Sequence, residues 1–577
     1  MPGITLPVAW DDAVLGFGRT HKDADHVGDR AAPVHAALAR HACAATVAQA
    51  GDQLAAQLTS GMRIRFEAVS GHKIDPIIHQ RQPMYTAKPH QTITQQVLDI
   101  AKPMQPLDYD ETGQVAELRS PRWGLALVNA LRANTLGAWE DIHRSGDVVR
   151  ARILGRSFVF VFHPRLLRAV LMEHDDAFHK EARQTKVFRL GQGVNVLTTE
   201  GADWQRQRRI LNPAFAPRKV EGYLALMAQA MNEVHADMLP QQRGQAQVIE
   251  VQAYTTRLTM DVMLRVLFGE RMDKALVQGA SDAVHQLEVQ GMRMMFWPWV
   301  PPQWLPYPGR SVTRRARGRL RGLVRRHIEA RRSAGAAQQA RRDLLAMMLQ
   351  AEDPTPDAAQ DATTQRHLSA QEVEDNCMAL FLAGHDTSAT ALTWWLALMG
   401  EHPQAAERAR EELRAVWDGQ DSGAAITPEQ LARLVWLEAT LKEALRLRPP
   451  IAAPFMRQAK EAVNVQGLVL QAGDCVSMPI WTVQLDARWF PQPLAFRPER
   501  FMPGAPEIPR GAWMPFGAGP HVCMGQHFSM VEMKLIAAEL LARYRWSLTG
   551  GEAAPEPVMN IVVKPRLPLR LRFERLA

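Results

Sequence analysis

Pro515-Phe516-Gly517-Ala518-Gly519-Pro520-His521-Val522-Cys523-Met524-Gly525 runs directly into a helix-like segment, Gln526 to Leu541. One cysteine is held in a glycine-rich loop. Gly517, Gly519 and Gly525 permit backbone angles and close approaches that a Cβ would block. A helix N-terminus just behind Cys523 favours negative charge, hence thiolate over thiol. No second cysteine stands nearby, so the loop suits a haem iron better than zinc or an iron–sulfur cluster. A buried cysteine acting as a small hydrophobe fits the loop too, and the rest of the chain weighs between the two.

Upstream, Asp375 to Leu398 reads as a long apolar helix with Ala383-Gly384-His385-Asp386-Thr387-Ser388 in its middle. Glycine and short polar residues are costly inside a helix. Such a helix either gains something locally or is merely kinked. Glu443-Ala444-Leu445-Arg446 lies on a helix that ends at Pro449-Pro450. Its i,i+3 spacing puts carboxylate and guanidinium on one face, where a surface ion pair worth little is the plain alternative. Two further runs are Phe496-Arg497-Pro498-Glu499-Arg500-Phe501 and Trp204-Gln205-Arg206-Gln207-Arg208.

In this order, the runs resemble those of the cytochromes P-450, the haem-thiolate monooxygenases. Phe516, Gly519, Cys523 and Gly525 match the family's Phe-x-x-Gly-x-Arg-x-Cys-x-Gly loop, with His521 in place of the usual arginine. The resemblance covers roughly residues 118–577. It implies a mainly α fold with small β-sheets, the cytochrome P-450 fold, and haem b (iron protoporphyrin IX) between the Asp375–Leu398 helix and the Cys523 loop. Cys523 would be the metal ligand, with Phe516 beside the haem and Gly384 leaving room for dioxygen. Trp204, Arg208, Arg457 and His521 would meet the haem carboxylates. Asp386 and Thr387 would be the catalytic pair that delivers protons. Glu443, Arg446 and Arg500 would form a structural network behind the loop, with Arg497 competing for the third place.

The resemblance further implies insertion of one oxygen atom from dioxygen into an apolar small molecule, typically as a hydroxylation. Pocket candidates are the loop Val187–Thr198, the Ala383 region and Ala452–Phe455, whose side chains are mostly apolar. A lipid-like, terpenoid or aromatic substrate is expected, and a fatty acid is a reasonable first trial. No flavin, nicotinamide or ferredoxin module is visible after Phe573. NAD(P)H-derived electrons are therefore expected through a ferredoxin or flavodoxin with its reductase. Arg206, Arg209, Arg218 and Lys219 would face solvent where an acidic donor docks, although a solvated helix face explains them equally. Other classes remain in view: a peroxide-driven or rearranging haem-thiolate enzyme, a non-catalytic haem sensor, and a metal hydrolase built on His385 and Asp386.

Composition is that of an ordinary globular protein: 577 residues, 46% hydrophobic and 22% charged, with a formal net charge of +8. The charge argues for a basic patch, and no nucleic-acid motif accompanies it. Arg314 to Arg332 reads as an amphipathic helix whose apolar face is Leu320, Leu323, Val324 and Ile328. Cys43, Cys377, Cys475 and Cys523 are scattered, which suits neither a disulfide framework nor a zinc site and fits a reducing cytoplasm. Residues 1–30 hold Asp11, Asp12, Asp23, Asp25 and Asp29 and no secretory pattern. No window reaches the roughly 18 apolar residues of a membrane span. A soluble bacterial type is expected, with membrane contact at most peripheral, where Met294 to Val300 would line a substrate mouth, touch a membrane surface or lie buried under a loop.

Residues 1–117 are expected to be an extension, poorly ordered or partly helical. Ala31 to Leu58 is alanine-rich, and Gly71 to Asp110 is polar and reads as loop. Met104 is an alternative start. Trp123 to Arg144 has helical spacing. Val148 to Phe162 reads as a hairpin turning at Leu154-Gly155-Arg156, with short strands near Ala462–Leu470 and Asp474–Pro479. Asn560 to Phe573 is read as a further hairpin.

Overall fold

The computed structural model describes residues 115–120, 124–297, 299–302, 304–333, 343–354, 366–417, 426–549 and 554–576. The helix expected over Ala31–Leu58, the polar stretch Gly71–Asp110, Met104 and Cys43 lie outside them. The strands are β1 (Ala116–Leu118), β2 (Val148–Ile153), β3 (Arg156–Val161), β4 (Phe178–Lys180), β5 (Ala246–Glu250), β6 (Arg457–Ala459), β7 (Val463–Val465) and β8 (Leu468–Leu470). They continue with β9 (Cys475–Ser477), β10 (Tyr544–Leu548), β11 (Pro557–Met559), β12 (Val563–Pro565) and β13 (Arg570–Arg575). The longer helices begin with α1 (Leu125–Ala133), α2 (Thr135–His143), α3 (Ala182–Gln192), α4 (Gly201–Leu211), α5 (Leu224–Met238) and α6 (Val251–Phe268). Then come α7 (Lys274–Met295), α8 (Arg310–Ser333), α9 (Ala370–Gly384), α10 (Asp386–Glu401), α11 (Pro403–Trp417), α12 (Val435–Leu447) and α13 (Gln526–Arg543).

The β2–β3 hairpin forms as expected. Leu154 and Gly155 both take positive φ, 49° and 79°, which is the two-residue turn whose twist matches the strands. It anchors a six-stranded mixed sheet in the order β1-β2-β3-β9-β6-β4. β7 and β8 also pair as a hairpin. The helical spacing of Trp123 to Arg144 resolves into α1 and α2, parted at Asn134. Its extended backbone ends α1, and its side chain caps α2 by accepting from Gly137 N.

α6, α12 and β10 pack around α10, which is buried along nearly its whole length. Trp394 and Trp395 lie in its middle, each with its indole N–H paired, to the Val563 carbonyl at 2.7 Å and to Thr440 Oγ1 at 3.0 Å. Three expectations need correction. Asn560–Phe573 is not a hairpin: β12 pairs back with β11, while β13 lies between β10 and the distant β5. Pro565 and Pro568 carry no N–H and cannot extend a shared ladder. Asp375–Leu398 is two helices, α9 and α10, broken at His385. Of the expected loop Val187–Thr198, Val187–Gln192 is the end of α3. The loop begins at Gly193 (φ 86°), where an added Cβ would run into the Asp375 carboxylate.

α8 bears out its amphipathic reading. Leu320, Leu323, Val324 and Ile328 are buried, and Arg321 and Arg325 pair with Glu374 and Asp375 at the start of α9. In the Met294–Val300 stretch Met294 is buried, and Trp299 is half exposed. Among the described residues no helix is long and apolar enough to cross a membrane.

Asp147, at the mouth of β2, accepts from Arg488 at 2.7 and 2.9 Å and meets His143 Nε2 at 3.3 Å. Burial alone would raise its carboxyl, but the His143 and Arg488 contacts outweigh that and hold it at about 2. A carboxyl depressed on folding contributes stability above its unfolded pKa and loses it as pH falls through the folded value. Asp147→Asn is therefore expected to cost about 2 kcal/mol at pH 7, and the gap to wild type should shrink below about pH 4 and close only below about pH 2. Urea midpoints across this pH range check this.

Candidate haem-thiolate site

The cysteine loop is shaped by two glycines at positive φ, Gly517 (73°) and Gly519 (71°). A Cβ on Gly519 would overlap the Leu171 carbonyl oxygen. The Cys523 N–H closes the loop by donating to the Phe516 carbonyl at 3.0 Å, and α13 starts three residues on. Cys523 is solvent-accessible although it lies deep among protein atoms, so its Sγ opens on an internal cleft. Burial raises the thiol, and the Gly525 N–H and the Arg208 charge only partly offset this. The helix terminus does not by itself make a thiolate. An iron at Sγ would, because a coordinating thiol is deprotonated outright.

The second group of expected site residues lies at the break between α9 and α10. Ala383 is exposed although the helix around it is largely buried. Thr387 Oγ1 donates to the Ala383 carbonyl at 2.7 Å, so the hydroxyl engages the carbonyl that the helix backbone would otherwise use. Thr259 of α6 donates to the His385 carbonyl at 2.9 Å, a second bond to a group that already accepts from the Ala389 N–H at 2.9 Å, and so ties the break to α6. The side of Gly384 that a Cβ would occupy is filled by the Met263 methyl of α6. That space serves helix packing, not a ligand. His385 is buried with Nδ1 2.7 Å from the Phe381 carbonyl. Among the described residues no group of three or more His, Cys, Asp or Glu could hold a metal ion, which removes support from a hydrolytic centre on His385 and Asp386. Asp386 is buried, with Oδ2 2.9 Å from Lys564 Nζ.

At the other edge of the cleft a cluster of cations converges. Arg208 Nη2 donates to the Val522 carbonyl at 2.6 Å, and Trp204 packs on His521 with ring centroids 4.0 Å apart. β4 pairs with β6 so that Lys180 lies directly opposite Arg457. Like charges so placed are destabilising unless an anion joins them. Burial lowers Arg208, Arg457 and Lys180, the last to about 8. Burial first, then Lys180, Arg457 and Arg208, hold His521 at about 3. The acids that reach the cluster are Glu200, 3.7 Å from Lys180, and Asp175, 3.9 Å from both Arg457 and His521. Two carboxylates on the edge of a haem fit this set. Lys180 was not foreseen from the sequence, because nothing local announces the β4–β6 pairing.

Behind the loop, Glu443 and Arg446 are fully buried and doubly bonded at 2.7 and 2.8 Å. Arg446 also donates to the carbonyls of Gln484, Pro493 and Ala495. Arg500 Nε reaches Glu443 at 3.3 Å. Arg497 contributes its backbone N–H to Glu443, while its guanidinium turns outward to Gln492, so Arg500 holds the third place. Glu532 of α13 is a second residue missed from sequence. It is buried, interacts with Ser388, is pushed up to about 8 by burial, and has one oxygen without a hydrogen-bond partner. Its signal was a carboxylate on the apolar stripe Phe528, Leu535, Ile536.

Two of the four cations expected to face solvent do not stand free. Arg206 is buried against Glu372, and Arg209 donates two hydrogen bonds to Asp353 at 2.7 and 2.9 Å. Arg218 and Lys219 are exposed.

The cytochrome P450 family model matches residues 120–573. Relatives include the cyclooctat-9-en-7-ol 5-monooxygenase of Streptomyces melanosporofaciens, 29% identical over 72% of this chain and 87% of that protein. The cyclooctatin synthase of the same organism is 30% identical over 73% of this chain and 87% of that one. The solved structure of a retinoic acid bound cyanobacterial CYP120A1 superposes with a TM-score of 0.63 at 26% identity, covering 76% of this chain and 93% of that chain. The chain belongs to the cytochrome P450 family. Its enzyme class is that of a cytochrome P450 monooxygenase, and haem b is the cofactor this membership implies.

Proposed function

We propose that residues 118–577 are a haem domain that oxidises a hydrocarbon-rich substrate carrying one polar group, in the cytoplasm, with electrons from a separate ferredoxin or flavodoxin and its reductase. Haem b supplies dioxygen activation and transfer of one oxygen atom. Cys523 holds its iron, with Phe516 packed beside it. Lys180, Arg208, Arg457, Trp204 and His521 hold its carboxylates. Thr387 and Asp386 pass protons into the cleft, and Glu443, Arg446 and Arg500 keep the floor behind Cys523 rigid. Arg218 and Lys219 offer an acidic donor a cationic approach.

The observation that carries the reading is the pairing of an accessible Cys523 in a closed loop with the broken helix at Ala383–Thr387. The substrate class rests on the cleft beside Leu382, lined by Val187, Phe188, Leu287, Met294 and Ile561 with Gln192 and Gln290 as polar points. Phe188 packs against Phe455 with ring centroids 4.8 Å apart and planes tilted by 48°. The names of similar proteins, an -enol monooxygenase and a retinoic acid complex, agree with such a ligand. Retinoic acid and a long-chain fatty acid should be incubated under labelled dioxygen with NADPH, a plant-type ferredoxin and its reductase. A product heavier by one labelled oxygen is expected from at least one of them. Turnover with hydrogen peroxide alone, and no label from dioxygen, would count for the peroxide-driven alternative.

A further inference from the structure

Asp386 is buried, only 3% exposed. Three chain segments meet at it. Lys564 on β12 places Nζ 2.9 Å from Asp386 Oδ2 and 3.3 Å from Glu288 Oε2 on α7, so one ammonium bridges the two carboxyls. Glu288 is itself 7% exposed, and one turn earlier on α7 His285 is exposed. Two carboxylates and one ammonium buried together carry an excess negative charge. Like charges at such range cannot both stay ionised, so one carboxyl keeps a proton. Lys564 lies closer to Asp386, so the proton rests on Glu288.

We propose that Glu288 is the positioning residue through which Asp386 is reloaded with protons, while Lys564 holds Asp386 ionised between transfers. This rests on the role given to Asp386 above. In the transfer the Glu288 O–H bond breaks and an Asp386 O–H bond forms. Glu288, left as a carboxylate beside Lys564, then takes a proton from water at the His285 edge. Burial and the Asp386 charge both push Glu288 well above the usual carboxylate range, while Lys564, with His385, keeps Asp386 below it. The other titratable groups near the cluster are His285, whose edge reaches solvent while the protein packed around its ring lowers it, and the exposed Asp282 on α7.

The test compares wild type, Glu288→Gln, Glu288→Asp and Asp386→Asn in two ways. Infrared spectra in water and D2O at pH 7 read the protonated-carboxyl band without needing turnover. With the labelled-dioxygen system above, the share of electrons ending in product instead of hydrogen peroxide and the solvent isotope effect read the proton supply. Glu288→Gln should remove the band, lower the product share about tenfold, raise the isotope effect and flatten its pH profile; Glu288→Asp should restore part of each. If Glu288→Gln keeps the band, or keeps product share and isotope effect while Asp386→Asn loses them, the inference is wrong and the role of Asp386 stands. A lower product share with an unchanged isotope effect and no gain from Glu288→Asp marks a merely structural residue and also overturns it. An Asp386→Asn variant with undiminished product share overturns both.

Discussion

Cys523→Ala will leave a protein of unchanged helical content that forms no product above the enzyme-free background. The loss is expected to be complete because no other described cysteine can supply a thiolate. Cys377 is fully buried, and burial pushes its thiol far up. Cys475 is buried in β9, accepts from Arg156 at 3.2 Å and is raised to about 11, chiefly by burial. The fold should survive, because the Cys523 side chain opens on the cleft, and the loop is closed by backbone atoms of Cys523 and Phe516. Circular dichroism and oxygen-label incorporation check the two halves. Retained product formation would remove Cys523 from the centre of the chemistry.

Glu443→Gln should be among the most destabilising single changes in the described chain, by about 3–5 kcal/mol, because it leaves the Arg446 charge buried without its partner. Glu443 and Arg446 are both 0% exposed, and Glu443 Oε1 also accepts from the Arg497 backbone and from Arg500. Arg500→Ala should cost only about 1 kcal/mol, since Arg500 lies nearer solvent and its other bonds run to the Pro491 and Gln492 carbonyls. Urea midpoints of the two variants measure the difference. Equal, small effects would mean that the network adds little to stability.

What was legible in the sequence was local. The Cys523 loop declares itself through glycines that must sit at positive φ, the β2–β3 turn through Leu154-Gly155, and a disturbed stretch of the Asp375–Leu398 segment through Gly384 and Thr387, though not its division into two helices. The Glu443–Arg446 pair is one turn of one helix. What was missed depends on distant segments meeting. β13 pairs with β5 rather than with its neighbour β12, and Lys180 comes to Arg457 only through β4–β6 pairing. Arg206 and Arg209 look free on their own helix because Glu372 and Asp353 are far along the chain. Gly384 shows the limit of a motif. Its position was legible, but the group filling the space beside it is Met263, which no spacing announces.

The most direct test is the carbon monoxide difference spectrum of the dithionite-reduced, haem-loaded protein. Thiolate ligation by Cys523 predicts a strongly red-shifted Soret band that survives Cys377→Ala and vanishes in Cys523→Ala. A band at the position of histidine-ligated haem, or a red-shifted band that persists in Cys523→Ala, would contradict it.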